Sequence, residues 1–300
     1  MGRSFVDAHP VARRVFDQAN DILGFDLAHL CFEGPEDELN DTVNTQPALY
    51  VCGVAIFEVL RDYYPNAAPQ LMAGHSLGEF TALTAAGALS FADGVRLVRK
   101  RGRLMKQAGE QHPGAMAAIL GLDTATVHKI CREAQQQTDG DLVVANDNTV
   151  GQVVISGHEA ALEIGMKLAR DAGARKVVKL AVSIASHSPL MASVDEAFRE
   201  ALSDCVFSEP QVPVYANVTA QPLVAVDAIR DELTRQLTSP VLWTDTMRQM
   251  IGAGVTTIVE LGPKDVLCGL MKRFDRQVQR IPLSTPDNLR YFELDDVSLG

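Results

Sequence analysis

The chain has 300 residues, 47% hydrophobic and 22% charged, enough apolar material for one large buried core or a large core with a smaller insert. A net charge of -11 argues against nucleic acid as the main partner, and an acidic partner would need a local basic patch. No unbroken apolar run approaches the roughly 18 residues of a membrane helix, and MGRSFVDAHPVARRVF has no secretory character, so a cytoplasmic protein with no membrane partner is expected.

Five cysteines (Cys31, Cys52, Cys131, Cys205 and Cys268) are scattered, odd in number and never in a CxxC pair. They read as buried free thiols in a reducing compartment, and no metal site is expected.

In chain order, residues 8–31 and 46–63 read as helices. QLMAG (70–74) reads as a short buried strand, and LGEFTALTAAGALS (77–90) as a helix of small residues suited to close packing. Residues 93–109 form an amphipathic helix with Asp93 as N-cap, its apolar stripe carrying Leu97, Val98, Leu104, Met105 and Ala108. Arg101 lies on that stripe. Between 113 and 183 the order of runs is β-α-β-β-α-β, a small ferredoxin-like unit. Further strands are expected at 212–218 and 256–262. The fold class is therefore α/β: a hydrolase-like parallel-sheet core from residues 1–112 and 184–300, with the ferredoxin-like subdomain 113–183 inserted.

The strand and helix at 70–90 meet at 74-GHSLG-78, a Gly-x-Ser-x-Gly pattern. A nucleophilic serine requires a sharp strand-to-helix turn, which exposes its Oγ and aims the following N–H and the helix N-terminus at a developing oxyanion. Gly74 and Gly78 would relieve crowding there; the plain alternative is an ordinary tight turn. Ser76 would need a base. Of seven histidines, His187 lies in a loop after a β-run, in 181-AVSIASHSPLM-191, where catalytic groups gather in α/β folds. A hydrogen-bonded loop histidine is the alternative. His75 adjoins the serine but diverges from it at an elbow and reads as a packing group, and His9 has an exposed-looking pattern. Arg101, inward-facing, must be paired: either with an internal carboxylate such as Glu79, which these residues by themselves favour, or with a carboxylate brought by a substrate.

Seven segments, 34-GPEDELNDTVNTQPAL-49, 73-AGHSLGEFTALTAAGALSF-91, 97-LVRKRGRLM-105, 148-NTVGQVVISG-157, 182-VSIASHSPLM-191, 235-RQLTSPVLW-243 and 260-ELGPKDVLCGL-270, run in one order across nearly the whole chain. In them the chain resembles the malonyl-CoA:acyl carrier protein transacylases and the related acyltransferase domains of polyketide synthases. The resemblance implies ping-pong malonyl transfer from malonyl-CoA to the phosphopantetheine thiol of an acyl carrier protein, for fatty acid or polyketide synthesis, by a monomer with no bound cofactor or metal. It implies Ser76 as nucleophile, His187 as base, the backbone carbonyl of Gln236 as the acceptor that orients His187, and Arg101 as the grip on malonate's free carboxylate, which overturns the ion-pair reading. Asn148 matches a polar position near the site. Leu77 after the nucleophile resembles malonyl users. Ser186 before His187 departs from the Phe of malonyl-using polyketide enzymes and resembles methylmalonyl users; malonyl is still the expected group.

The family's opening strand and Gly-Gln-Gly-Ser-Gln-like loop have no match in the sequence. The resemblance implies that the first strand and one oxyanion donor are absent, leaving the Leu77 N–H. Two rivals follow: an acyl hydrolase of the same fold, which would have no use for Arg101, and a shortened, non-catalytic carrier-binding module.

Overall fold

A computed structural model describes residues 1–66, 68–182 and 184–291. Helix α1 (Arg3–Ala8) leads into α2 (Pro10–Leu23), whose first-turn proline loses no helical hydrogen bond. Gly24, at φ 71°, ends α2, and Asp26 caps α3 (Leu27–Glu33) by accepting from the His29 N–H. The helix expected over 8–31 is thus broken at the left-handed glycine. After α4 (Glu36–Asn40), Asp41 caps α5 (Thr42–Tyr63), so this helix starts a turn before the expected 46.

Helix α5 corrects the sequence reading on membrane spans. It is long and apolar enough, by length and composition, to cross a bilayer, but 61% of its apolar window is buried inside the protein. Polar residues such as Gln46 and Glu58 break the run that a simple count looks for. Pro47 sits inside α5 and lacks the N–H that would bond the Val43 carbonyl. That carbonyl takes a hydrogen bond from Arg99 Nη1 at 2.7 Å instead.

Strand β1 (Met72–Ala73) precedes α6 (Gly78–Ala85) and α7 (Phe91–Gln111). The cap of α7 is Ser90, whose Oγ accepts from the Asp93 N–H, so Asp93 belongs to the first turn. There its charge faces the positive helix end. The α7 stripe is buried as read, and Arg101 is buried with it.

Between Ala115 and Lys179 come β2 (Ala115–Leu120), α8 (Thr124–Gln136), β3 (Leu142–Thr149), β4 (Gln152–Gly157), α9 (Glu159–Asp171) and β5 (Lys176–Lys179). The strands form an antiparallel sheet in the order β3-β4-β2-β5. Both helices pack on one face of it, through Val127, Ile130 and Leu162 against Ile119, Leu142 and Ile155. The β-α-β-β-α-β order is the one read from the runs. The end of β3 is tied to the rest of the chain through Val241, whose N–H donates to Ala145 O at 2.8 Å and whose carbonyl accepts from Asp147 N at 2.9 Å.

The chain continues with α10 (Asp195–Ser203), β6 (Val214–Tyr215), β7 (Pro222–Leu223), α11 (Val226–Gln236), α12 (Trp243–Gly252), β8 (Thr257–Leu261), α13 (Val266–Phe274) and β9 (Gln279–Leu283). The parallel pairs β1/β6 and β8/β9 support the α/β class. They do not form one continuous sheet: among the described residues they belong to two small sheets, with β7 antiparallel on β6. Strand β1 is only two residues long, and β1 and β8 each have one partner strand among the described residues. Side chains from both pieces nevertheless meet in one core, where Met72, Val259 and Leu261 border a cluster containing Leu83, Leu97 and Val214.

Candidate active site

The segment 74–78 folds as a strand–turn–helix elbow. Ser76 adopts φ 50°, a left-handed conformation that a side chain rarely takes. The turn closes with Gly78 N donating to His75 O at 2.9 Å, and α6 starts immediately after. Gly74 is required by space: a Cβ there would lie 2.0 Å from the carbonyl carbon and oxygen of Gly78. The same expectation for Gly78 is not met, because a Cβ at Gly78 meets nothing within 4 Å. Its neighbourhood on that side is open, so the pattern's second glycine does not relieve crowding.

His187 lies 111 residues further on and also takes a left-handed conformation, at φ 57°. Its Nε2 is 2.8 Å from Ser76 Oγ. Its Nδ1 is 2.9 Å from the Gln236 carbonyl oxygen and 3.1 Å from that of Ser239. Carbonyl oxygens only accept, so Nδ1 carries the proton and Nε2 presents its lone pair to the serine hydroxyl. Burial lowers the His187 pKa to about 3, with repulsion from Arg101 adding to the effect and the two carbonyls opposing it. His187 is therefore neutral at physiological pH.

Arg101 is 1% exposed. Its Nη1 donates to Gln46 Oε1 at 2.8 Å, and its Nη2 donates to Gln236 Oε1 at 2.9 Å and to Ser76 Oγ at 3.1 Å. It forms no direct salt bridge to a carboxylate among the described residues. Glu79, the partner considered from the sequence, is reached through the Gln236 amide: Gln236 Oε1 accepts from Arg101 while its Nε2 donates to Glu79 Oε2. Desolvation lowers the Arg101 pKa to about 10, with Glu79 opposing, so the guanidinium remains charged.

The Ser76 N–H donates to Asn217 Oδ1 at 2.6 Å, and Asn217 Nδ2 donates to Gly74 O at 2.8 Å. One asparagine at the end of β6 thus bolts both sides of the elbow. The Ser76 N–H is thus engaged, whereas the Leu77 N–H makes no hydrogen bond to a described residue. His75 points the other way, with its Nε2 2.8 Å from Asn148 Oδ1 and its ring 5.4 Å from that of Trp243.

An acyl transferase domain model matches residues 1–285. The chain is 43% identical to the malonyl CoA-acyl carrier protein transacylase of Haemophilus influenzae, over 92% of this chain and 88% of that protein. It is 40% identical to the protein of the same name from Bacillus subtilis, over 96% and 90%. Among solved structures, a malonyl-transacylase in complex with a type II polyketide acyl carrier protein aligns at TM-score 0.94 and 39% identity, over 98% of this chain and 95% of that one. The chain belongs to the malonyl CoA-acyl carrier protein transacylase family.

For this member of the transacylase family, the sequence-predicted residues are distributed as follows. The Gln236 carbonyl, His187, Ser76 and Arg101 are joined in that order by successive hydrogen bonds. Asn148 reaches the elbow through His75 rather than touching Ser76. Ser186 is half-buried beside His187, and its side chain makes no hydrogen bond to a described residue. His9, which looked exposed, is buried against the edge of the Tyr63 ring, 5.2 Å between centroids. The five cysteines are free and buried, as expected. Four contributions went unread: the side chains of Gln46, Gln236 and Asn217, and the carbonyl of Ser239. Gln46 leaves a faint trace, a polar residue in an apolar helix immediately before a proline. The others act across 52 to 160 residues and leave none.

Proposed function

We propose that this chain transfers a malonyl group from malonyl-CoA to the phosphopantetheine thiol of an acyl carrier protein, with Ser76 carrying the group as an ester between the two half-reactions. The observation that carries this reading is Arg101: a buried guanidinium 3.1 Å from the nucleophile's oxygen, held by two glutamine oxygens and without a salt-bridge partner among the described residues. A buried cation beside a nucleophile is suited to a substrate that brings its own carboxylate. A neutral acyl chain would leave it uncompensated.

His187 Nε2 takes the Ser76 proton as Oγ attacks the thioester carbonyl, and the Leu77 N–H with the start of α6 receives the charge on the carbonyl oxygen. The C–S bond breaks, and the imidazolium returns its proton to the departing CoA thiolate. In the second half, His187 takes the pantetheine thiol proton. The thiolate attacks the ester, and the proton goes back to Ser76 Oγ. The Gln236 and Ser239 carbonyls hold the tautomer throughout, in the place an acid occupies in a three-membered triad.

The low pKa of His187 would make it a weak base in the empty site. Part of that depression comes from Arg101. A malonyl carboxylate seated on Arg101 cancels the repulsion and lifts the basicity of His187 when the correct substrate is bound. Malonyl rather than methylmalonyl is the group proposed, with Ser186 and Leu77 bordering the acyl chain and Asn148 bracing His75. Intact-mass spectrometry after brief exposure to malonyl-CoA tests the proposal. One malonyl adduct is expected on the wild-type chain and none on Ser76→Ala. An adduct that persists in Ser76→Ala would remove Ser76 from the role.

A further inference from the structure

Beneath the elbow lie two acidic residues that the transfer reaction does not use. Glu79 on α6 is 0% exposed and Glu232 on α11 is 2% exposed. Glu79 Oε1 accepts from the Asn217 N–H at 3.1 Å, and Glu232 Oε1 accepts from the next N–H, that of Val218, at 2.7 Å. The two carboxyls thus accept from consecutive backbone amides and lie close enough for the Glu232 charge to act on Glu79. Neither forms a salt bridge with a lysine or arginine among the described residues. An ionised carboxylate only accepts, so two neighbouring buried carboxyls can join in a hydrogen bond only when one of them holds a proton. Two negative charges in contact in a dry interior are also prohibitive.

We propose that Glu79 and Glu232 hold one proton between them in the folded protein at neutral pH, and that this protonated pair positions the nucleophile elbow and the Gln236 amide. Each active-site group is one residue away from it. Through Asn217 the pair reaches the Ser76 N–H and the Gly74 carbonyl. Through Gln236 it reaches Arg101, the Ser76 carbonyl and His187 Nδ1. The two glutamates are positioning residues; neither touches the reacting atoms.

The charged groups facing the pair are few. Arg101 on α7 favours ionised Glu79, and Arg235 on α11 favours ionised Glu232. His187 faces the Gln236 carbonyl and is neutral. Burial outweighs both arginines, with mutual repulsion adding at Glu79, and both carboxyls titrate above their usual range. A carboxyl raised on folding takes up a proton that the unfolded chain releases. The stability it confers is therefore present at low pH and is lost as pH climbs from the ordinary carboxyl range through the raised value. Losing the shared proton places a second negative charge under Asn217 and Gln236 and disturbs the elbow, so acylation should fail on the alkaline side.

Glu232→Gln tests this. Its amide oxygen still accepts from Val218, and its NH₂ donates permanently to Glu79, imitating the protonated pair. Thermal unfolding is followed from pH 5 to 9 in both proteins. One bound proton changes the folding constant about tenfold per pH unit, and the expected result is that this component of the wild-type decline is lost in the variant. The infrared carboxylic-acid band should fall by one protonated carboxyl at pH 7, and the alkaline loss of Ser76 labelling should move to higher pH. Equal unfolding slopes and equal bands would overturn the proposal. Should Glu232→Gln not fold, absence of a buried protonated-carboxyl band in the wild type at pH 7 overturns it equally. The labelling readout rests on the Ser76 reading, whereas unfolding and infrared do not. A flattened slope with no labelling in either protein would sustain the proton pair and sink the catalytic reading.

Discussion

Arg101→Ala separates the clamp from its surroundings most sharply. In the structure Nη2 reaches Ser76 Oγ and Nη1 faces Gln46. A malonyl carboxylate seated on Arg101 gains two charge-assisted hydrogen bonds, each worth about 1.5–3 kcal/mol. Their loss, about 3–6 kcal/mol, corresponds to roughly a 10²–10⁴-fold fall in kcat/KM for malonyl-CoA. Acetyl-CoA has no carboxylate, so its transfer should be spared or improved. The truncation also leaves Gln46 Oε1 and Gln236 Oε1 buried without a partner, at about 1–3 kcal/mol each. Stability therefore falls for both substrates alike, and the malonyl-to-acetyl ratio isolates the clamp. Stopped-flow acylation with the two thioesters measures that ratio. If both rates fell equally, the arginine would be a structural residue and the argument from its missing carboxylate would collapse.

Two further results are expected. With His187 held to a pKa of about 3, the base is already neutral above about pH 4, so kcat/KM should be flat from pH 5 to 7; an acid limb near the usual histidine value would refute the burial argument. Gly74→Ala should abolish folding or lower stability by more than about 4 kcal/mol, since backbone stands 2.0 Å from the new Cβ; Gly78→Ala should melt at or above the wild-type temperature, gaining up to about 1 kcal/mol of helix propensity, as circular dichroism would show.

Local chemistry made part of this protein legible from the sequence. The helix of α7 with Arg101 on its buried stripe follows from 3.6-residue periodicity, and the six-element unit between β2 and β5 follows from alternating apolar runs. The turn at Ser76 follows from Gly74, whose place no larger residue can take. These signals lie within a few residues of the features they specify. The role of Arg101 could not be read that way. Burial demanded a partner and Glu79 was the internal acid considered, but the amide of Gln236 stands between them. That glutamine comes from a helix 135 residues further on. Asn217, the Ser239 carbonyl on His187 and the Glu79–Glu232 pairing are of the same kind. A hydrogen bond depends on atoms within about 3 Å, and sequence periodicity carries no record of which distant strands and helices will bring them there.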